Sequence, residues 1–370
     1  MRIALLKETA ERERRVALVP DSVGKLGKAG VEIVIESGAG AAAGFDDAAY
    51  TQAGATVAPD ARTACAGAAA VVKVQPPTME EADLLDRGTL LVSLLPLSEQ
   101  KDVIARLADR GVTALALERV PRIARAQSMD VLSSQATVSG YKAVLLGAGA
   151  LTRFLPMLTT AAGNVPPAKV FVLGAGVAGL QAIATAHRLG AVVSAFDVRP
   201  AVREQVQSVG ATFVAAELAS SALEDKGGYA KAQSEDDRER TIATLSNHIK
   251  DMDLVISTAA IPGRRAPILI TGAMVQSMKK GAVIVDLAAE TGGNCELTKP
   301  GDTVEANGVK IIGPLNLPST VATHASQMLS RNVLTLLQHL LRDGGLSIDL
   351  ADDITGAMAV THAGEIRVQG

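Results

Sequence analysis

Short, uniformly apolar runs alternate with helix-like segments along the first third of the chain. Because polar residues do not alternate within the runs, they are typical of parallel strands that helices cover on both faces. Between the first two runs, residues 21–30 predict a helix with Asp21 as its N-cap and Gly30 just past its end. The predicted strands lie at residues 2–6, 32–36, 70–74, 90–95 and 112–118.

A second strand–helix series follows a predicted long helix, roughly residues 129–158, and a connector containing glycine and proline. Strands that alternate with helices indicate right-handed βαβ units. After residue 320 the pattern again predicts a long helix, which returns the chain to the first domain. The fold class predicted is therefore α/β, with two Rossmann-like doubly wound parallel-sheet domains joined by long helices. The strands predicted in the second series lie at residues 169–173, 192–197, 211–215, 253–258, 282–288 and 309–313.

These patterns place one discontinuous domain at residues 1–130 plus 325–370 and a second at 131–324. The charged stretch Glu224–Thr241 contains paired glycines and interrupts the second series. It predicts either a mobile loop over about 224–241 or a solvated helix-and-loop insertion.

Composition narrows the function classes. The chain has 370 residues, which is more than one hydrophobic core usually holds, and only 2% of them are aromatic. A net charge of −3 indicates no nucleic-acid partner. Cys65 and Cys295 have neither disulfide nor metal spacing, and no apolar stretch is long enough to span a bilayer. We therefore expect a soluble cytoplasmic protein without a metal site.

The run Gly174-Ala175-Gly176-Val177-Ala178-Gly179 follows a predicted strand and opens a predicted helix. Gly174 allows a tight turn, Gly176 lets the backbone approach a pyrophosphate, and Gly179 lets the helix pack against the strand. Asp197 follows the last glycine by 197 − 179 = 18 residues, near the ~20 expected of a ribose-binding carboxylate. That carboxylate favours NAD(H) over NADP(H), although Arg199 could accept a 2′-phosphate.

A conventional dehydrogenase also needs a group that moves a proton. For each histidine of the chain a structural role is favoured over catalysis, so a nicotinamide site is predicted without an obvious proton-transfer partner. The histidines are His187, His248, His324, His339 and His362.

Several segments, taken together and in order, resemble the NAD(H)-binding component (domain I) of proton-translocating nicotinamide nucleotide transhydrogenase. The resemblance covers nearly the whole chain. The segments are residues 7–20, 72–77, 121–135 ("PRIARAQSMDVLSSQ"), 157–191, 227–231, 258–271 and 285–295.

The resemblance implies direct hydride transfer from NADH on this chain to NADP⁺ on a partner subunit, coupled to proton translocation by a membrane-spanning partner. It also implies a homodimer, held at the cytoplasmic side of the inner membrane through its partners. The catalytic residues implied are Arg122, Gln127, Asp130 and Ser133. The residues implied to bind NAD(H) are those four with Ile123, Ala124, Ser128, Met129, Gly174, Ala175, Gly176, Val177, Gly179, Asp197, Val198, Arg199, Gly228, Tyr229 and Ala260.

Alanine dehydrogenase, in the same superfamily, is the alternative, because it shares the two-domain fold and the positions of Arg15 and Lys73. This chain departs from that enzyme at two positions. Pro96 stands where that enzyme has a catalytic histidine, and Glu290 where it has an aspartate. An NAD-binding regulatory module without chemistry is a third possibility.

Overall fold

The computed structural model describes residues 1–216, 234–260 and 265–368. The chain forms two compact units, one of Met1–Gln135 with Pro318–Gly370 and one of Ala136–Leu317. The first unit is therefore discontinuous in sequence.

The amino-terminal segment alternates strands and helices. Its strands are β1 (Arg2–Leu5), β2 (Glu32–Glu36), β3 (Thr56–Ala58), β4 (Ala70–Val72), β5 (Leu90–Ser93) and β6 (Thr113–Ala116). Its α-helices are α1 (Pro20–Lys28), α2 (Asp47–Gln52), α3 (Ala61–Cys65), α4 (Met79–Leu84) and α5 (Lys101–Asp109), with 3-10 helices at Ala41–Ala43, Leu117–Arg119 and Ala124–Met129. Helix α6 (Val131–Ala150) then runs from the first unit into the second.

The second unit follows the same alternation. Its strands are β7 (Leu158–Thr160), β8 (Gly163–Val165), β9 (Lys169–Leu173), β10 (Val192–Phe196), β11 (Thr212–Val214), β12 (Leu254–Ser257), β13 (Val283–Asp286), β14 (Thr303–Ala306) and β15 (Val309–Ile312). Its helices are α7 (Val177–Arg188), α8 (Arg203–Ser208), α9 (Glu235–Ile249) and α10 (Gly272–Ser277), with 3-10 helices at Pro200–Val202 and Ala289–Thr291.

A 3-10 helix, Leu317–Val321, leads back to the first unit. The carboxyl-terminal segment then forms α11 (Ala322–Leu340), β16 (Leu341–Arg342), β17 (Gly345–Leu346), α12 (Asp353–Met358), β18 (Ala359–His362) and β19 (Glu365–Ile366).

Each unit is built on a largely parallel sheet. Among the described residues the strand order is β19-β18-β6-β5-β4-β1-β2-β3 in the first unit and β11-β10-β9-β12-β13-β15-β14 in the second. Apart from the antiparallel strands β18, β19 and β14 at the sheet edges, both follow the doubly wound Rossmann order. The predicted α/β fold class of two Rossmann-like domains is confirmed.

Apolar side chains cover both faces of each sheet, as the continuous apolar runs predict. In β1, Ile3 and Leu5 enter one core cluster while Ala4 enters another on the opposite face. In β9, Val172 and Phe171 divide in the same way. Successive side chains of a strand point to opposite faces, so two-sided burial requires an unbroken apolar run.

Two local predictions were wrong. Helix α1 begins at Pro20, with Val19 as its N-cap, so Asp21 lies in the first turn; proline suits the first helical position because no N–H donor is needed there. Helix α6 ends at Ala150 instead of near 158, ahead of Pro156, which cannot extend a helix. Of the charged stretch, Glu235–Thr241 begins helix α9 behind the N-cap Ser234, and residues 224–233 lie outside the described part of the chain. The mobile loop and the helix-and-loop insertion both stay predictions.

Candidate functional site

The glycine-rich turn joins β9 to α7. Gly174 has a φ of +92°, and a Cβ there would lie 2.7 Å from Thr258 Oγ1. A Cβ at Gly179 would collide with the carbonyl oxygen of Gly174, so only glycine allows α7 to pack this close. A Cβ at Gly176 would meet nothing within 4 Å. The turn is therefore tightly packed on its inner side and open at Gly176.

That open side coincides with the amino terminus of α7. Gly176 is the N-cap and has no side chain to accept hydrogen bonds from the first turn. Backbone N–H groups in a first helical turn lack intrahelical partners and attract anions, an effect that the helix dipole reinforces. Val177, predicted as a nucleotide ligand, is 42% exposed at this helix end, whereas Ala175 is buried. A diphosphate would find both space and donors here.

Asp197 follows β10 beside the turn, and its carboxylate is already saturated. Oδ2 accepts from Ala175 N at 2.7 Å and from Arg199 Nη2 at 2.9 Å. Oδ1 accepts from Arg199 N and Nε, both at 2.9 Å. The sequence predicts that this carboxylate binds a ribose hydroxyl, and the structure pairs it with Arg199.

The loop after β12 completes this end of the sheet. Thr258 Oγ1 donates to the carbonyls of Leu173 and Gly174 at 3.2 and 3.1 Å, which ties the loop to the glycine turn. Asn294 fixes the same loop: it accepts from Ala259 N at 3.1 Å and donates to the carbonyls of Ala259 and Pro267, each at 2.8 Å. Ala260, predicted to line the nucleotide, is exposed next to this anchor.

Asp286, at the end of β13, holds Asn294 in place. Its carboxylate is fully buried and accepts hydrogen bonds from the Asn294 and Cys295 backbone and from Ser257 Oγ. Thr298 Oγ1 donates to it at 2.6 Å. The sequence did not indicate the anchoring roles of Asp286, Asn294 and Thr258. Polar residues near strand ends follow no fixed spacing that would distinguish them from ordinary loop residues.

In the first unit, most of the predicted nicotinamide-side residues lie on or next to the 3-10 helix Ala124–Met129. Ala126 and Met129 are buried in the first unit's core, while Arg122, Gln127 and Ser128 are exposed. Ile123 and Ala124 are exposed as well. The segment therefore has an apolar underside and a polar, accessible face.

Several contacts within the first unit fix this segment. Asn332 of α11 donates to the Ser128 carbonyl at 2.8 Å, and Arg125 forms a 2.7 Å ion pair with Asp352. Asp130 accepts from Ser133 N at 2.9 Å and from Ser133 Oγ at 2.6 Å, which caps α6. The exposed face is thus carried on an anchored support.

Two buried ion pairs lie near the carboxyl ends of β1 and β4. Glu13 binds Arg15 through contacts of 2.9 and 2.7 Å. Although burial alone would raise it, the pKa of Glu13 falls to about 2 because Arg15 supplies hydrogen bonds and positive charge. Lys73 donates to both oxygens of Glu81, at 2.7 and 2.6 Å.

Glu8 adds a third carboxylate to this cluster. It accepts from Val74 N at 2.6 Å and from Gln75 N at 3.2 Å. Burial raises the pKa of Glu8 to about 7, against the opposing charge of Lys73. Together with Glu13 and Glu81, it leaves the cluster with more carboxylates than the two cations can neutralise when all three are ionised.

Three of the five histidines make side-chain contacts within the fold, whereas His187 and His324 are exposed. His248 contacts Ser194 Oγ at 2.8 Å and meets the Phe171 ring edge-on, and burial lowers its pKa. His362 contacts Thr113 Oγ1 at 3.0 Å, and His339 contacts Asp352 at 3.3 Å.

Both cysteines are free and buried, and burial raises the pKa of Cys65 to about 12 and of Cys295 to about 11. Within the described part of the chain, no group of three or more metal-ligating side chains is found. Nor does that part contain a helix with the length and hydropathy to cross a membrane. Gly228 and Tyr229, with most of the predicted mobile loop, lie outside the described residues.

Comparison with known proteins assigns both halves of the chain. A family model described as alanine dehydrogenase/PNT, N-terminal domain, matches residues 4–139, and its C-terminal counterpart matches residues 143–369. The chain is 46% identical to a NAD(P) transhydrogenase alpha-subunit polypeptide of Rhodospirillum rubrum, over 99% of this chain and 97% of that protein.

Solved structures point the same way. A transhydrogenase from Sinorhizobium meliloti is 43% identical, with a TM-score of 0.90 over 99% of this chain and all of that one. An L-alanine dehydrogenase is 30% identical, with a TM-score of 0.81 over 99% of this chain and 96% of the other. The likeness is greater to the transhydrogenase in both sequence and fold.

Proposed function

The chain belongs to the alanine dehydrogenase/PNT family, as its resemblance to transhydrogenases predicts, and we propose that it is the NAD(H)-binding subunit of a proton-translocating transhydrogenase. It is an oxidoreductase homologous to NAD(P) transhydrogenase alpha subunits. The observation that carries the proposal is the 3-10 helix Ala124–Met129 with the preceding Arg122, because exposed Arg122 and Gln127 are presented on a support that is fixed within its own unit.

Within this proposal, the predicted ligands have separate roles. The turn at Gly176 and the α7 amino terminus hold the pyrophosphate, and the β10 end at Asp197 recognises the adenosine ribose. Arg122, Gln127, Asp130 and Ser133 orient the nicotinamide carboxamide. When bound, NADH supplies a hydride to NADP⁺ carried by a partner subunit.

Direct hydride transfer does not require a proton to be moved on the substrate. The protein then needs only to orient the ring and exclude water, which positioned hydrogen-bonding side chains do. The structural contacts of His248, His339 and His362, and the proline at position 96 after β5, agree with such a reaction. The anchors from Asn332 and Asp352 limit motion of the segment, as positioning requires.

A homodimer is the proposed assembly, supported by the hairpin β7–β8. Its two strands pair with each other and, among the described residues, with no other strand. An isolated two-stranded hairpin is marginally stable, and its free edges favour pairing with another chain. Phe154, Met157 and Val165 around it are 58%, 63% and 39% exposed. Light scattering of the Met157→Glu variant tests this, since a dimer held here should dissociate.

The remaining partners are an NADP(H)-binding subunit and a membrane-spanning proton-channel subunit, which would hold this chain at the cytoplasmic face of the inner membrane. The experiment is to add purified NADP(H)-binding subunit and follow reduction of an NADP⁺ analogue by NADH. Gln127→Asn should slow transfer while NADH binding stays near normal. Near-normal binding without any partner-dependent transfer in the wild type would instead indicate a regulatory module.

Alanine dehydrogenase activity is the alternative, and the first unit argues against it. The two cations that such an enzyme shares with this chain, Arg15 and Lys73, are each already paired with a buried glutamate within 2.7 Å. Pro96 cannot exchange a proton. Reduction of NAD⁺ with L-alanine at ordinary enzymatic rates would overturn the transhydrogenase proposal.

A further inference from the structure

Arg199 already donates hydrogen bonds to the Asp197 carboxylate, so it competes there with any bound ligand. A carboxylate has about four lone-pair positions. Four donors reach Asp197, three of them from Arg199 and one from Ala175 N. Both side chains are largely enclosed, with 6% of Asp197 and 13% of Arg199 exposed, so the pair is shielded from water.

This arrangement alters what the carboxylate can recognise. A ribose 2′-hydroxyl that donates to Asp197 must replace one of these donors, and only the Arg199 side-chain donors can be withdrawn by a change of rotamer. The two backbone donors, Ala175 N and Arg199 N, are fixed by the glycine turn and by the chain itself. The guanidinium also cancels the charge that would repel a 2′-phosphate.

We infer that Arg199 is a specificity-determining residue that competes with the ribose of NADH for Asp197 and weakens the chain's discrimination against NADPH. The inference rests on the proposed nucleotide site. In this inference Arg199 competes with the nucleotide. The simpler expectation is that Arg199 binds the nucleotide. The two roles predict opposite effects of removing the guanidinium.

The test measures dissociation constants of NADH and NADPH for the whole purified chain. The nucleotide's own fluorescence serves as the signal, because the chain contains no tryptophan. Arg199→Ala should bind NADH about five- to tenfold more tightly and NADPH more weakly, since charge-assisted hydrogen bonds no longer compete and the carboxylate is no longer neutralised. Arg203→Ala is the matched control: Arg203 is exposed nearby and lies 5.1 Å from the Phe213 ring centroid, and its loss should change neither constant.

Asp197→Ala supplies the converse arm. It removes the carboxylate that neutralises the Arg199 guanidinium, so the ratio of NADPH to NADH affinity should rise at least about tenfold, and the double variant with Arg199→Ala should lose that gain. Weaker NADH binding by Arg199→Ala, or an unchanged affinity ratio, would overturn the inference while leaving the nucleotide site intact. Failure of the wild-type chain to bind NADH would overturn both the inference and the proposed function.

Discussion

The two units have the same strand order but use its central crevice differently. In doubly wound sheets the order reverses between the first and fourth strands, and ligands bind at the carboxyl ends there. In the second unit this point holds a short glycine turn with an open helix terminus. In the first unit it holds the long loop from Leu6 to Val19 and a buried cluster of charges.

Local sequence explains the difference. Gly174 and Gly179 let β9 pass into α7 within three residues, so backbone N–H groups face the crevice. In the first unit, fourteen residues separate β1 from α1, and among them the charged side chains of Glu13 and Arg15 are buried. Pro20 removes a donor at the start of α1. The comparison teaches that topology makes the crevice, whereas the first turn decides what can enter it.

The largest expected effect comes from removing one of the buried charges of the first unit. Lys73→Met should lower the free energy of unfolding by about 3–5 kcal/mol, because Glu81 stays buried without its cation. Chemical denaturation of that variant and of Lys73→Met/Glu81→Gln measures this, and the double variant should recover part of the loss. Arg106→Met, which breaks the exposed pair with Asp83, should change stability little. Equal stability of Lys73→Met and wild type would show that the pair is not structurally required.

In the second unit, the corresponding test concerns the close packing of Gly179 against Gly174. Gly179→Ala should weaken NADH binding about 100-fold, because the added Cβ forces α7 away from the turn and moves its amino terminus. Fluorescence titration with NADH gives the affinity. Gly149→Ala in α6 is the control, since a Cβ there meets nothing within 4 Å and alanine favours the helix. If both variants bound NADH alike, close packing of α7 would have no part in binding.

Glu8 gives the first unit a pH dependence that the glycine turn lacks. Its pKa rises from an ordinary value near 4.5 to about 7 on folding, so its contribution to stability is complete below about pH 4.5 and is lost as the pH rises through 7. Glu8→Gln should remove this loss, which amounts to at most ~1.4 kcal/mol per pH unit.

Unfolding measured from pH 4 to 8 for wild type and Glu8→Gln tests the sign. Glu13 provides the internal contrast, because its lowered pKa stabilises the fold above about pH 4.5 and this stabilisation is lost as the pH falls toward 2. Parallel stability curves for the two proteins between pH 4.5 and 7 would contradict the assignment to Glu8.

The sequence predicts the fold more completely than the site, and the reasons are physical. Fully buried strands need unbroken apolar runs, so the central strands of both sheets can be read from hydrophobicity alone. Thr56–Ala58 and Thr303–Ala306 were not predicted, because edge strands are short and partly exposed. The hairpin at 158–165 was not predicted for the same reason. Its residues were assigned to the end of a helix and to the connector that follows it.

Within the site, local motifs are readable and long-range contacts are not. The glycine turn needs residues at fixed spacing, so it can be found from one sequence. Asn294 lies 35 residues from Ala259, which it holds, and Asn332 lies 204 residues from Ser128. The pairing of Asp197 with Arg199 is local, but side-chain conformation decides it, and a sequence pattern contains no information on that choice.

The smallest expected effect concerns Arg125 in the first unit, whose ion pair with Asp352 supports the 3-10 segment. Arg125→Ala removes the 2.7 Å ion pair with Asp352 and should slow partner-dependent hydride transfer about threefold, because the 3-10 segment becomes less well positioned. Asp352→Asn should have a similar effect, since asparagine keeps the N-cap of α12 while losing the charge. The NADH dissociation constant should not change in either variant, and Arg62→Ala, at an exposed arginine of α3, should alter neither quantity. Because Arg125 lies on the segment's support and Gln127 on its polar face, a transfer rate that falls in Gln127→Asn but not in Arg125→Ala would mean that the segment holds its position without this ion pair.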